Sequence, residues 1–355
     1  MTPRANEPRA FTLVELLVAV AIIATLFGLV VAGARPGADG QVRQATQTLS
    51  SAFMATQSRA LGQPVGAAII LESGVNSTDI ASIAVANASM PPLISGTAGS
   101  LAPLAGGTMT VSLGPITGDA DELQHAYRIR FGGVGSAAAG AVLQPPSAWY
   151  SLACPASGTS ASSCTGTIGF RNANGQTNAN SIVPEPPATG PLQFTATSYP
   201  TKGESVMTFP KGAAIDLRYS GIGEEQNEIW DEAKTAATNA SVPGWGNLAG
   251  KGSIAFVYDS VGRIDAVMQR VTEAASTRAI QPTRPGEPIY LLVNSRDWIT
   301  DNTSQPLGNP KAFWLVLHPQ TGRTSAAFNV PQTGTNAAAL RAARAKARAG
   351  TLGGK

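Results

Sequence analysis

The stretch from Ala10 to Ala34, AFTLVELLVAVAIIATLFGLVVAGA, constrains this chain more than any other. From Phe11 onward it is apolar except for Thr12, Glu15 and Thr25. A helix rising about 1.5 Å per residue makes the run long enough to cross a hydrocarbon core of roughly 30 Å. Residues 11–34 therefore read as a transmembrane helix, with a single carboxylate near its start. An ionised Glu in lipid costs on the order of 2.5–3.5 kcal/mol on insertion scales, so Glu15 needs either a place at the interface or a partner. A secretory signal that is removed whole has an apolar region of about 7–15 residues and a small-residue cleavage site after it. The run here is longer, and a plain signal anchor gives Glu15 no purpose. Arg4 and Arg9 stand against Glu7 ahead of the span. That bias keeps the amino terminus cytoplasmic and puts the rest of the chain outside, with Arg35 a weak counterweight.

The 355 residues are 43% hydrophobic and only 13% charged, with 38 Gly and 25 Pro. Such a composition predicts one globular domain with a modest sheet core and long loops rather than two full domains. A formal net charge of +3 is too small to point to nucleic acid without basic residues clustered on one face. Cys154 and Cys164 are the only cysteines, with nine residues between them in a Ser/Thr/Gly-rich loop. In an exported segment that pair predicts a small disulfide loop, since neither a C-x-x-C redox centre nor a full zinc ligand set is present.

Arg35-Pro36-Gly37 interrupts the first helix, because Pro lacks the amide donor and Gly weakens a helix interior. Beyond Gly40 the residues Val42, Ala45, Leu49, Ala52, Phe53, Thr56 and Ala60 recur three or four apart. This predicts an amphipathic stalk over 35–62 whose apolar stripe packs on a sheet. Pro64 to Leu71 reads as the first strand. Thr108 to Leu113, Tyr127 to Phe131, Ser205 to Phe209, Ala213 to Tyr219, Ile254 to Tyr258, Arg263 to Met268, Pro288 to Val293, Phe313 to Leu317 and Thr324 to Val330 follow as strands. Between Ser73 and Gly106 only Ile80, Ile83 and Val85 hint at one weak strand. Residues 132–201 read as a long loop-like insertion broken by Pro145-Pro146, the cysteine loop and Pro184 to Pro191. The β-rich region as a whole runs over 63–335.

Glu224, Glu225, Glu228, Asp231 and Glu232 surround Ile229 and Trp230 without the Gly-punctuated spacing of a calcium loop, so they read as an exposed acidic face. The basic Ala-rich tail, 336–355, carries Arg341, Arg344, Lys346, Arg348 and Lys355. It reads as a basic helix or a disordered arm for an acidic surface, and with no aromatic residues interleaved to stack bases a solvated tail is the favoured reading. His125 and His318 lie in no nucleophile or metal motif, and Asp119, Asp121 and Glu122 sit in a Gly-flanked loop. No G-x-S-x-G, H-E-x-x-H, GxxxxGK[ST] or C-x-x-C is present, so no catalytic residue, metal site or cofactor is assigned and the chain reads as a non-enzyme.

A short basic leader, a small residue, then Phe-Thr-Leu-x-Glu opening an apolar run resembles the amino-terminal signal of type IV pilins and type II secretion pseudopilins. That resemblance implies cleavage between Ala10 and Phe11, with Ala10 in the place usually held by Gly, methylation of the new amino terminus at Phe11, and Glu15 as the fifth mature residue. Residues 1–10 are then the leader. The run TLSSAFMATQSRALGQPVGAAIILES, with Arg59, Gly62, Pro64 and Val65 at the helix-to-strand passage, resembles the GspH/FimT-type minor pseudopilins. So do the hairpins turning at Gly262-Arg263 and Gly322-Arg323, where Gly supplies the positive φ. The resemblance implies an α+β, pilin-like fold: a long amino-terminal transmembrane and stalk helix packed on an antiparallel β-sheet, with long loop insertions. It also implies the partners, namely a prepilin peptidase/N-methyltransferase, other pilin or pseudopilin subunits, an inner-membrane assembly platform and membrane lipid. The function implied is a subunit of a pilus-like or pseudopilus filament in protein secretion. The alternative is a pilus-borne adhesion or DNA-uptake module that makes contact through the cysteine loop and the polar insertion.

Overall fold

The structure, a computed structural model, describes residues 38–73, 81–103, 109–117, 126–132, 150–153, 159–160, 163–169, 192–224, 251–272, 278–283, 285–300, 305–334 and 337–352, with helical positions 14, 17, 18 and 20–25 ahead of them. Helix α1 (Ala38–Ala60) is the stalk. All seven positions of its predicted stripe are buried, from Val42 to Ala60, none more than 3% exposed. The two threonines on that side, Thr46 and Thr56, satisfy their hydroxyls by donating to Val42 O and Ala52 O, both at 2.9 Å. A polar side chain can thus sit in an apolar seam without an orphaned donor. The helix stops where the chain reaches Gly62 at φ 78° and Pro64, which cannot continue it.

The stripe packs on a ten-stranded antiparallel sheet. Its strands are β1 (Ala67–Ser73), β2 (Ala81–Ser89), β10 (Thr201–Thr208), β11 (Ala213–Ile222), β12 (Lys251–Tyr258), β13 (Ile264–Thr272), β14 (Arg278–Thr283), β15 (Ile289–Ser295), β16 (Phe313–Leu317) and β17 (Thr324–Phe328). The order is β14-β13-β12-β1-β2-β11-β15-β16-β17, and β10 also lies against β2. Alternate residues face α1: Ile69 and Leu71 in β1, Ile254 and Phe256 in β12, Ile289, Leu291 and Val293 in β15, Leu315 and Leu317 in β16. Phe53 meets Phe256 edge-on, with ring centroids 5.2 Å apart at 86°. The residues between them face away and are buried too, so residues 289–293 of β15 read as an unbroken apolar run, as expected of a strand covered on both faces.

Two elements cover that second face. Over β15 to β17 lies α3 (Ala337–Leu352), whose Ala339, Leu340, Ala343 and Ala347 pack on Tyr290, Leu292, Trp314, Val316 and Ala327. The basic tail is therefore not a solvated arm. Its alanines let the helix approach the sheet closely, and Arg344, 2% exposed, donates to Gly223 O at 2.9 Å and Tyr219 O at 2.7 Å. Two main-chain acceptors replace the water that a buried guanidinium loses. The sequence reading weighed the charges of the tail and overlooked its stripe. A short helix, α2 (Arg296–Thr300), follows β15 and buries Ile299.

Over β1, β2, β12 and β13 the second face carries Ala68, Ile70, Ala86, Val257, Ala266 and Met268, joined by Met90 and Tyr199. Those last two residues mark the entry and exit of a second sheet, built from β3 (Ile94–Pro103), β4 (Met109–Thr117), β5 (Ala126–Phe131), β6 (Tyr150–Ala153), β7 (Thr159–Ser160), β8 (Ser163–Gly169) and β9 (Leu192–Ser198). The order β4-β3-β9-β5-β6-β8 is closed by pairing of β4 with β8, which makes a six-stranded antiparallel barrel with β7 as a short addition to β8. The register sets Ala98, Leu113, Ile129, Phe131, Tyr150, Leu152, Phe194 and Ala196 on the inner face, each at most 4% exposed.

The segment read as a loop-like insertion, 132–201, thus contributes β6 to β9; the weak strand hinted at by Ile80, Ile83 and Val85 is present as β2, and β3 follows it unexpected. Their Ala, Gly, Ser and Thr content obscures them, because β-propensity favours branched and aromatic residues. The strands expected on either side of Pro210-Lys211-Gly212 are present, but they are not a hairpin. Both run antiparallel to β2, one after the other along the same edge.

Truncating Phe53 to Ala opens a cavity under the middle of the helix and removes the contact with Phe256. The expected loss is about 3–5 kcal/mol of stability, measured by denaturant unfolding of the full chain; a loss below about 1 kcal/mol would show that the seam is not the core of the body.

Candidate functional site

Ahead of α1, Val14, Leu17, Val18, Val20, Ala21, Ile22, Ile23, Ala24 and Thr25 are helical. Every large apolar side chain described there is at least 50% exposed. The body folds without covering them, so this surface is left for lipid or for another chain. The hydroxyl of Thr25 turns back to Ala21 O at 3.0 Å and Ile22 O at 2.9 Å. A threonine bonded in this way needs no water, which suits an apolar surrounding. Among the described residues no helix is long and apolar enough to cross a membrane.

The opposite end of the stalk is tied into the body by side chains. The turns at Gly262 (φ 84°) and Gly322 (φ 65°), both expected from sequence, come together against one residue of α1. The amide of Gln57 donates to Gly262 O at 3.0 Å and to Thr321 O at 2.7 Å. Gly322 is needed for space as well as for its φ, since a Cβ there would lie 1.9 Å from Gly262 O and 2.5 Å from the Gln57 amide nitrogen. Arg59 spans the carbonyls of Ala68 at 3.1 Å and Ala88 at 3.3 Å, which are register partners in β1 and β2. One guanidinium thereby fixes both the exit of the helix and the first strand pair. Gln57 had no signal in the sequence; an amide on the polar flank of a helix is ordinary until the two turns are seen beside it.

The ionisable groups divide into buried and peripheral sets. Asp216 in β11 is fully buried and paired with Arg218 at 3.0 Å, while Arg218 also donates to Ile299 O at 2.8 Å. Burial raises the Asp216 carboxyl above its ordinary value of 3.8, with Arg218 opposing the shift. The pair sits where the β11–β15 register slips between Asp216 and Gly221. There Ser220 Oγ accepts from Leu292 N at 3.0 Å and donates to Asp216 O at 2.6 Å, filling the gap in the ladder. Of the acidic cluster, Glu224 is described, and it accepts from Arg348 at 3.0 Å. The phenol of Tyr290 beside it is pushed up, first by burial and then by the Glu224 carboxylate. His318 lies 3.3 Å from Ser325 Oγ across the β16–β17 hairpin. Among the described residues no three His, Cys, Asp or Glu side chains gather as metal ligands do. Ala10, Phe11, Glu15, Asp119, Asp121, Glu122, His125 and Cys154 lie outside the described residues, as do Glu225, Glu228, Asp231 and Glu232. Cys164 contributes backbone to β8 opposite Leu113 and Thr159, and its side chain is outside what is described.

The family model of the prokaryotic N-terminal methylation motif matches residues 8–31. The chain carries a prepilin-type motif. No curated protein and no solved structure matches the chain. The motif embraces Ala10, Phe11 and Glu15 together with the exposed apolar helix. It implies a type IV pilin-like or pseudopilin subunit, cut by a prepilin peptidase and assembled with others of its kind. The match ends before α1, so it bears on the amino-terminal device and leaves the subtype of the body open.

The buried pair gives the body a pH signature. In Arg218→Ala the Asp216 carboxyl loses its only opposing cation among the described causes and its pKa moves further up. Below the ordinary value of 3.8 the group is protonated both folded and unfolded, and the variant loses little through it. As pH rises the unfolded chain gives up that proton while the folded one retains it, so stability falls. The expected deficit relative to the parent grows from pH 3 to pH 7 and reaches about 3–5 kcal/mol at neutrality, read from urea melts at the two pH values.

Proposed function

We propose that the chain is a structural subunit of a type IV pilus-like or type II secretion pseudopilus filament, and within that class a GspH/FimT-type minor pseudopilin serving protein secretion. The observation that carries this reading is the methylation motif at residues 8–31, in register with a helix whose apolar side chains no part of the body covers. The stalk packed on an antiparallel sheet and the two Gly-Arg turns clamped by Gln57 support the finer assignment. In this reading the chain is held in the inner membrane by one span over 11–34 with its body outside, cut between Ala10 and Phe11, methylated at Phe11, and passed to an assembly platform. Apolar helices then bundle in the filament core. There Glu15 meets the charged amine of Phe11 on a neighbouring subunit. An unpaired carboxylate in that low dielectric costs several kcal/mol, so the pair selects the axial register. The work is assembly, and no residue is assigned to turnover. Cys154 and Cys164 are proposed to close a disulfide in the exported part.

A second reading rests on the barrel formed by β3 to β6, β8 and β9, a unit beyond what covers the stalk. In that reading the filament displays it as an adhesion or DNA-uptake module.

Mass spectrometry of the mature amino terminus is expected to find methylated Phe11. Glu15→Leu is expected to be cut normally yet enter filaments at least tenfold less often, as expected if the lost pairing is worth about 1.4 kcal/mol or more. Normal incorporation of this variant would overturn the assembly role of Glu15, and a block in cleavage alone would assign Glu15 to peptidase recognition.

A further inference from the structure

The barrel and the body sheet meet along a seam that contains a cleft of about 330 Å³. The barrel contributes Arg128 and Arg130 from β5 and Thr197 from β9. Arg128 and Thr197 are cross-strand partners, and all three alternate with the inward-facing Ile129, Phe131 and Ala196, so they share the outer face of the barrel. The body contributes Asp265 in β13 and Asp259 in the β12–β13 turn. Arg128 is ion-paired with Asp265 across the seam. Asp259 is oriented by the amides of Val261 and Arg263, which donate to its Oδ1 at 3.0 and 2.8 Å. Val65 and Leu93 add an apolar wall. Thr197 is 1% exposed, and its hydroxyl has no hydrogen-bond partner among the described residues.

Two guanidiniums and two carboxylates line the cleft, so it offers no excess charge to a small ion. What it offers is a dense mixture of fixed donors and fixed acceptors, a hydroxyl awaiting a partner, and an apolar wall. A ligand that suits this is one whose polar groups both donate and accept and whose ring presents a C–H face. The volume is at the small end of ligand clefts, room for one or two rings. We infer that this cleft binds a neutral saccharide unit, its hydroxyls bridging the Arg and Asp side chains and Thr197 while one ring face lies on Val65 and Leu93. The inference goes beyond the filament reading and does not rest on it: a saccharide site on the body is compatible with any fate of the amino-terminal helix.

The test uses the full chain in amine-oxide micelles, which carry no sugar headgroup. The chain is titrated calorimetrically with glucose, galactose, mannose, N-acetylglucosamine and cellobiose, and with glucuronate and glucosamine as charged counterparts. At least one neutral sugar is expected to bind saturably and more tightly than either charged one. Thr197→Val, which keeps the shape and removes the hydroxyl, is expected to weaken that binding at least tenfold while leaving the melting temperature unchanged or higher. Leu93→Ala, at a residue that lines the cleft without joining the ion pair, is expected to weaken it severalfold, and it decides the matter should the Thr197 variant fold poorly. The inference is overturned by the absence of saturable binding of any neutral sugar, by tighter binding of a charged one, or by unchanged affinity in both variants.

Discussion

One helix stripe holds the body together. Val42, Ala45, Leu49, Ala52, Phe53, Thr56 and Ala60 face side chains drawn from β1 to β16, that is, from residues 69 to 317 of the chain. Apart from β1 and β2, the strands the stripe packs on come from far along the chain, so the seam is completed only when those strands have formed. In sequence the amino-terminal apolar segment precedes this helix, and Gln57 and Arg59 tie the far end of the helix to the two turns and the first strand pair.

The sheet is buried on both faces, which imposes a second requirement. A half-covered sheet needs apolar residues only at alternate positions, whereas residues 67–71 in β1, 254–258 in β12 and 289–293 in β15 are unbroken buried apolar runs. The chain meets this with two unlike covers. The helix α3 is made mainly of alanine where it touches the sheet, and its one large polar intruder, Arg344, is accommodated because Gly221 stands opposite it: a Cβ there would lie 2.8 Å from the guanidinium. The barrel supplies the other cover, held by Arg128 on Asp265 and by Tyr199 donating to Ser253 O at 3.2 Å.

Periodicity made the stalk and the strands rich in branched residues legible, and positive-φ chemistry made the two Gly-Arg turns legible. Both signals are local. What stayed faint or hidden was either compositionally quiet or non-local. Strand β2 reads ASIAVANAS, poor β-forming residues in a central position, and only its pairing with β1 on one side and with β10 and β11 on the other makes it a strand. Strand β8 reads SCTGTIG and belongs to a ring whose closure is visible only when β4 meets it. Helix α3 was misread because charge was weighed before the three-to-four spacing of Ala339, Ala343 and Ala347. The motif residues Ala10, Phe11 and Glu15 were the reverse case: legible from sequence and matched by a family model, yet outside the described residues.

The placement of the barrel follows from the pairing of its two ends. The chain leaves β2 at Ser89 and re-enters the sheet at Thr201, and these two residues are register partners. Topologically the barrel occupies the tip of the β2–β10 hairpin, so the body would keep its register whatever was carried there, because the ends that must be joined are already adjacent. That independence separates two parts of the molecule. The stalk and its sheet are committed to one another by a shared core, whereas the barrel is joined at one hairpin and along one seam. Such a seam is a natural place for a cleft, since two separately close-packed units meet there and are tied by Arg128 on Asp265 and Tyr199 on Ser253 O.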